Sequence, residues 1–419
     1  MNIYEQKFND SIKNTVFSKL PTTERNFIKE KAYLLNFSFQ EIKQIVDIAR
    51  DLRMWDEKNI IDIFPEHEQK KIALARLKKT YEELRSKPNS YKNFKLQNIP
   101  QEQKYTFKVE SKDGFGLGLC PVASEKTRCC NLLTLDAIES CGFDCSYCSI
   151  QSFYNQNTIT YDSTFANKLK KLKLDKNKTY HIGTGQASDS LMFGNREGVL
   201  DALFEFASNN PNVILEFKTK SDNIKYFLEN YVPKNIVCTW SLNTQTIIDN
   251  EEHLTAPLKK RIGAARKLAD KGVKVGFHFH PIVEYENYLQ EYKEVYKTLQ
   301  NSFLAKEVVL VSFGTLTFIK PVIKQLRNRD FKSKITQMPF EDANKKSSYP
   351  HATKVKMFKS AYASFKDWQS CEDKVFFYLC MEDHHIWKDT FGYQYSTNNN
   401  FEKDMLSSYT KKLNMEFLV

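Results

Sequence analysis

Two things are missing from this 419-residue sequence, and each closes off a class of protein. The N-terminus, MNIYEQKFNDSIKNTVFSKL, has no continuous apolar stretch of the kind a secretory leader needs. Nor is any hydrophobic run long enough to cross a bilayer; the longest, Val308 to Ile319, suits a buried strand. The expectation is a soluble, cytoplasmic protein with no membrane partner. Acidic residues are also short, 51 against 62 Lys and Arg, giving a net charge of +11. That balance permits a nucleic-acid partner. A chain rich in Lys and Asn throughout reaches the same charge without one, and lysines in 70–79 and 168–178 alternate with apolar residues as on solvated helix faces.

What is present supports a sizeable core: 41% of residues are hydrophobic and 13% aromatic. Ser38-Phe-Gln-Glu41 reads as a capping box, followed by Ile42, Ile45, Val46, Ala49 and Leu52 on one helical face. An earlier helix around Asn26–Leu35 would make a pair, which leaves a DNA-reading helix-turn-helix as a minor reading. Residues 86–112 read as a connector. From about residue 131, strand patterns (131–139, 179–184, 214–220, 236–243, 273–282, 308–318) alternate with helical ones (165–172, 197–208, 223–229, 258–271, 288–302, 320–329). Repeated βα units predict a parallel sheet with right-handed crossovers. Six are too few for a full barrel, so the predicted fold is α/β: a partial (β/α)6 TIM-type barrel over 111–335. A helical N-terminal region (1–110) would precede it. A small α/β extension (336–419) would follow, with a helix at 353–368 and a strand at 374–382. A doubly wound sheet is the alternative architecture.

Nine cysteines without a secretory leader argue for metal chemistry rather than disulfides. Three are tightly spaced, in Cys141-Gly-Phe-Asp-Cys145-Ser-Tyr-Cys148 directly after the first predicted strand, the end of a barrel strand where such folds carry their chemistry. Three thiolates on a four-iron cubane leave one iron open to an outside ligand. This CxxxCxxC resembles that of radical S-adenosylmethionine (SAM) enzymes, whose [4Fe–4S] cluster binds the amino and carboxylate groups of SAM and cleaves it reductively to a 5′-deoxyadenosyl radical. The competing reading is structural zinc, with Cys120, Cys129 or Cys130 as a fourth ligand, although nothing forms a second CxxC pair. The remaining cysteines show no comparable spacing.

Later strand ends offer SAM contacts: backbone groups of Gly183, Thr184 and Gly185, then Ser188 and Asp189 for a carboxylate and an ammonium. Lys220 ends the third strand, Ser241 and Asn243 the fourth, and His280 the fifth. His278 and His280 would share one side of that strand with Phe277 and Phe279 opposite. His384 and His385, beside Glu382 and Asp383, look like a metal site on paper but read first as an exposed polar turn.

Beyond the cysteines, residues 131–320 resemble the spore photoproduct lyase family, the DNA-repair branch of radical SAM proteins. The likeness rests on Tyr147 within the motif, Ser188-Asp189, Thr219-Lys220, Ser241-Leu-Asn243, Pro257-Leu-x-x-Arg261-Ile and Gly276-Phe…Pro281-Ile. It implies a lyase-like enzyme with a [4Fe–4S] cluster and SAM, a nucleic-acid substrate (DNA favoured over RNA), and an electron donor such as flavodoxin or ferredoxin. Two positions depart from the pattern. The family's hydrogen-donating cysteine before Ser-Asp is Gln186 here, whose N–H bond is far stronger than a thiol's S–H. The tyrosine expected after the third cysteine is Ser149. Cys238 reads as an ordinary strand cysteine or as a substitute donor. A radical SAM enzyme acting on a peptide or small molecule remains the other enzymatic reading.

Overall fold

In a computed structural model, the six apolar runs become six parallel strands: β1 (Leu133–Leu135), β2 (Tyr180–Thr184), β3 (Val213–Thr219), β4 (Ile236–Ser241), β5 (Lys274–Ile282) and β6 (Val308–Thr315). The structure describes residues 3–66, 68–94, 104–114, 117–120, 126–154, 157–343 and 346–418. The strands line up in chain order in an open, curled sheet of eight, the expected partial barrel. β3 and β4 are buried along nearly their whole length, as strands covered on both faces must be. Each buried aliphatic or aromatic side chain there contributes roughly 1.5–3 kcal/mol. Crossover helices such as Val199–Asn209 bury one face, here Val199, Leu200, Leu203, Phe204 and Ala207.

The structure corrects several expectations. The predicted strand 131–139 breaks after Leu135, because the Asp136 carboxylate turns to accept the Ala187 N–H at 2.9 Å. Ile138–Glu139 then pairs with Thr158–Asp162 in a separate sheet, completed by Thr106–Glu110. The connector at 86–112 thus contains a strand; its residues 95–103 lie outside those described. The C-terminal run expected in an extension supplies β7 (Phe376–Leu379), which pairs parallel to β6 inside the main sheet. On the other edge, Leu117–Leu119 pairs antiparallel to β1. The predicted helix 353–368 is two helices, His351–Ala363 and Lys366–Ser370, and the tail forms a helix, Asn398–Leu413, capped by Thr397.

The chain divides into two compact units: Met1–Pro100 with Glu284–Glu286 and Phe318–Ser348, and Gln101–Val283 with Asn287–Thr317 and Tyr349–Val419. Against the expected boundaries at 110 and 335, residues 318–348 belong with the N-terminal helices. In that unit the Ser38 capping box forms, and helix Lys320–Asn328 presents Arg327 to Asp47 at 2.8 Å and Asp51 at 2.7 Å. The Tyr81 hydroxyl also donates to Asp51, at 2.7 Å. Residues 349–419 belong with the barrel because β7 is hydrogen-bonded into it. No helix among the described residues is long and apolar enough to cross a membrane.

Candidate active site

The three-cysteine loop leaves β1 and folds back on itself. Ser140 takes a positive φ of 73°, and the Tyr105 hydroxyl donates to the Gly142 carbonyl. Gly142 packs against Met192, and a Cβ there, 2.2 Å from the Met192 methyl, would displace that flexible side chain. The loop is then clipped down: Asp144–Cys145 forms an antiparallel ladder with Glu252–His253, Cys145 opposite Glu252. The Ser146 N–H donates to the Glu251 carbonyl at 2.8 Å, and the Cys148 N–H to Cys145 at 3.1 Å. Cys145 is buried, while Cys141 and Cys148 are partly exposed.

Around Cys145 sits a charged network that spacing alone did not reveal. The Lys220 ammonium, carried past the end of β3, lies 3.5 Å from the Cys145 sulfur and donates to the Tyr147 hydroxyl at 2.8 Å. It is 3.6 Å from the Glu252 carboxylate, which also accepts from Tyr147 and pairs with Arg261 at 2.7 Å. Arg261, fully buried, spends its other N–H groups on Ala256, Ser241 and Thr255. Burial alone would lower the Lys220 pKa, but its electrostatic pairing with Cys145 and Glu252 outweighs that and holds the ammonium charged. Burial pushes Glu252 up, and Lys220 and Arg261 more than reverse it, to about 2. Arg261 stood in a sequence pattern; Glu252 lies in Asn250-Glu-Glu-His253, which carries no motif.

The ends of β2 and β3 meet beside this network. Gly185 adopts a φ of +82°, and a Cβ would press 2.5 Å from the Ser190 hydroxyl and 3.0 Å from the Ser188 carbonyl. The Thr184 hydroxyl is engaged with that of Ser190 at 2.8 Å. At Gly183 the atoms nearest a Cβ would belong to the Leu132 side chain, the first at 3.1 Å. Asp189 gives its carboxylate to four donors: Thr219 Oγ1, and the N–H groups of Lys220, Leu191 and Met192. Ser188 differs: its hydroxyl is buried with no protein partner, as is that of Ser146 in the cysteine loop.

Inside the sheet, Glu216 on β3 accepts from Thr239 at 2.6 Å and bonds His181 at 2.8 Å and His278 at 2.6 Å. The Ser312 hydroxyl then joins His278 (2.6 Å) to His280 (2.9 Å), confirming that the two histidines share a side. Burial lowers both, His278 to about 4, so they stand neutral. Ser241 is buried, and Asn243 bonds Glu252, Pro281 and Tyr292. Cys238 is fully buried; with Thr239 facing Glu216, strand alternation turns it to the other face. Gln186 is partly exposed and Ser149 exposed. Asp383, His384 and His385 bring their ligand atoms within 4.8 Å, yet they form the first turn of a helix capped by Asp383 rather than a free polar turn.

These residues suit a polynuclear cluster. Burial pushes the Cys141 thiol up and Cys145 up to about 12, so thiolates here need a cationic partner. Among the described residues no three thiols lie within 4.8 Å of one another, whereas a single tetrahedral zinc, with bonds of about 2.3 Å, draws its sulfurs to about 3.8 Å. The unpartnered Ser146 and Ser188 hydroxyls add hydrogen-bonding capacity that the protein leaves unused.

Known proteins resemble this chain. The family model described as "Spore photoproduct lyase" matches residues 74–368. The spore photoproduct lyase of Clostridium acetobutylicum is 24% identical over 223 residues, 51% of this chain and 64% of the relative. That of a Geobacillus species is 24% identical over 202 residues, 46% of this chain and 59% of the relative. The chain therefore spans less than two thirds of those relatives' length. Among solved structures, a spore photoproduct lyase double mutant with bound AdoMet and dinucleoside spore photoproduct shares the fold, with a TM-score of 0.52 at 18% identity, over 68% of this chain and 86% of that one. A second, complexed with the dinucleoside photoproduct, gives 0.52 over 65% and 81% at 18% identity.

Proposed function

The chain belongs to the spore photoproduct lyase family, and on that premise we propose that it is a radical SAM enzyme acting on nucleic acid, DNA before RNA. Cys141, Cys145 and Cys148 would hold a [4Fe–4S] cluster, leaving one iron open for SAM. When bound, that pair supplies reductive opening of the sulfonium and hence a 5′-deoxyadenosyl radical that abstracts hydrogen. The observation that carries the reading is the cysteine loop at the strand ends, clipped beside the charged Lys220.

Each neighbouring residue has a task. Lys220 offsets the negative charge of the thiolates and of a carboxylate ligand, and Glu252 and Arg261 fix its position. Tyr147, held between Lys220 and Glu252, orients the loop. Backbone groups of Gly183, Thr184 and Gly185 receive the methionyl amine, and the free hydroxyl of Ser188 meets the carboxylate. Asp189, its oxygens occupied by four donors, positions Lys220 and the 191–192 turn instead of pairing with an ammonium. Ser241 and Asn243 support Arg261 and Glu252, and neutral His280 faces the cofactor or substrate.

A relative solved with a dinucleoside photoproduct and the net charge of +11 support a nucleic-acid substrate. Gln186 carries no S–H, so the final hydrogen donor differs from the family's cysteine. A reducing cytoplasm with a flavodoxin- or ferredoxin-type donor suits a chain with nine cysteines. The test is anaerobic incubation of reconstituted protein with SAM and dithionite, with irradiated DNA or RNA, followed by mass spectrometry. Deoxyadenosine formation, lost in Cys145→Ala, is expected; unchanged formation in that variant would refute the reading.

A further inference from the structure

Four cysteines outside this site gather where the two edges of the open sheet approach. Cys120 follows the edge strand Leu117–Leu119 and donates its N–H to the Leu132 carbonyl at 3.0 Å. Cys129 and Cys130 lie between the short strand Thr127–Arg128 and β1, and Cys380 directly follows β7. A two-residue antiparallel ladder joins these edges, with Arg128 opposite Glu382 and Thr127 opposite Asp383. Cys129 is the residue after Arg128, and Cys380 stands two residues before Glu382. Proximity shows in their electrostatics: Cys380 feels Cys120 and Cys129, and Cys130 feels Cys129 and Cys380.

The bland account is that cysteines fill cores as small apolar groups. It fits poorly here, because Cys120, Cys130 and Cys380 are only partly buried and all four thiols lie on irregular segments bordering strands. Positive charge is at hand: Lys218, on β3, acts electrostatically on Cys380. Four thiols are the number that closes every ligand position of an iron–sulfur cluster. No three of these sulfurs lie within 4.8 Å, so a single-ion tetrahedron is not preformed.

We propose that Cys120, Cys129, Cys130 and Cys380 ligate a second iron–sulfur cluster at this seam. It is independent of the SAM-binding reading. With four thiolates it offers SAM no open iron, and it would clasp β7 to the edge formed by β1 and Leu117–Leu119.

The full-length chain, reconstituted anaerobically with iron and sulfide, provides the test. Wild type should hold about eight irons per chain, and Cys130→Ser/Cys380→Ser about four. The triple variant Cys141→Ala/Cys145→Ala/Cys148→Ala should also keep about four, with a reduced-state EPR signal that SAM does not alter. The seam variant should retain a SAM-responsive signal, which also shows that it folds, and Cys238→Ser should match wild type. Only about four irons in wild type, all lost in the triple variant, would overturn the proposal. So would one zinc per chain that disappears with the seam cysteines.

Discussion

Lys220 holds its ammonium 3.5 Å from the sulfur of Cys145, although the two residues come from different strand ends. At the proposed cluster site, a fixed cation beside this sulfur would stabilise the thiolate and tune what the metal does. Lys220→Met should therefore lower deoxyadenosine formation about 10- to 100-fold while iron content stays near wild type. Undiminished formation at equal iron loading would remove Lys220 from the mechanism.

Ser188 presents the opposite case, a buried hydroxyl that no protein group uses. Ser188→Ala should leave stability within about 0.5 kcal/mol, because it breaks no internal bond. SAM binding, followed by equilibrium dialysis, should weaken about tenfold, the worth of one hydrogen bond. Equal affinity in both proteins would mean the hydroxyl faces no ligand.

At Gly185 the backbone decides. With φ at +82° and its Cβ position crowded by Ser190 and the Ser188 carbonyl, Gly185→Ala should cost about 1–3 kcal/mol, read as a lowered urea midpoint. Gly263, in a helix with nothing within 4 Å of its Cβ position, is the control: Gly263→Ala should be neutral or stabilising.

Glu252 gives a pH signature. Its folded pKa of about 2 lies below the unfolded value of about 4.3, so the unfolded chain binds the proton more readily. The stabilisation is complete above about pH 5 and is lost as pH falls towards 2. Urea titrations should show wild type weakening through that window, with a shallower acid slope in Glu252→Gln. The variant should already be about 3–5 kcal/mol less stable at pH 7, since Arg261 is left buried without its anion. Identical acid slopes would contradict the assignment.

Apolar runs gave away the strands, because a sheet covered on both faces demands them; β3 and β5 fall within a residue of where their patterns lie. The break after Leu135 was hidden, since it depends on Asp136 finding the Ala187 amide across the fold. Cys141, Cys145 and Cys148 announce themselves by spacing, whereas Glu252 acquires meaning only when the ladder sets it opposite Cys145. Likewise Cys380 and Cys130 are 250 residues apart in sequence, and only the return of β7 to the sheet brings them together. Local pattern reports local structure; partners brought close by topology leave no local trace.

The Cys145–Glu252 ladder also sets a timetable. Roughly a hundred residues separate its two halves, and a ribosome adding about 5–20 residues per second needs about 5–20 s to make them. During that interval the nascent thiols have no docking segment, and their loop cannot be clipped down until synthesis has passed residue 253.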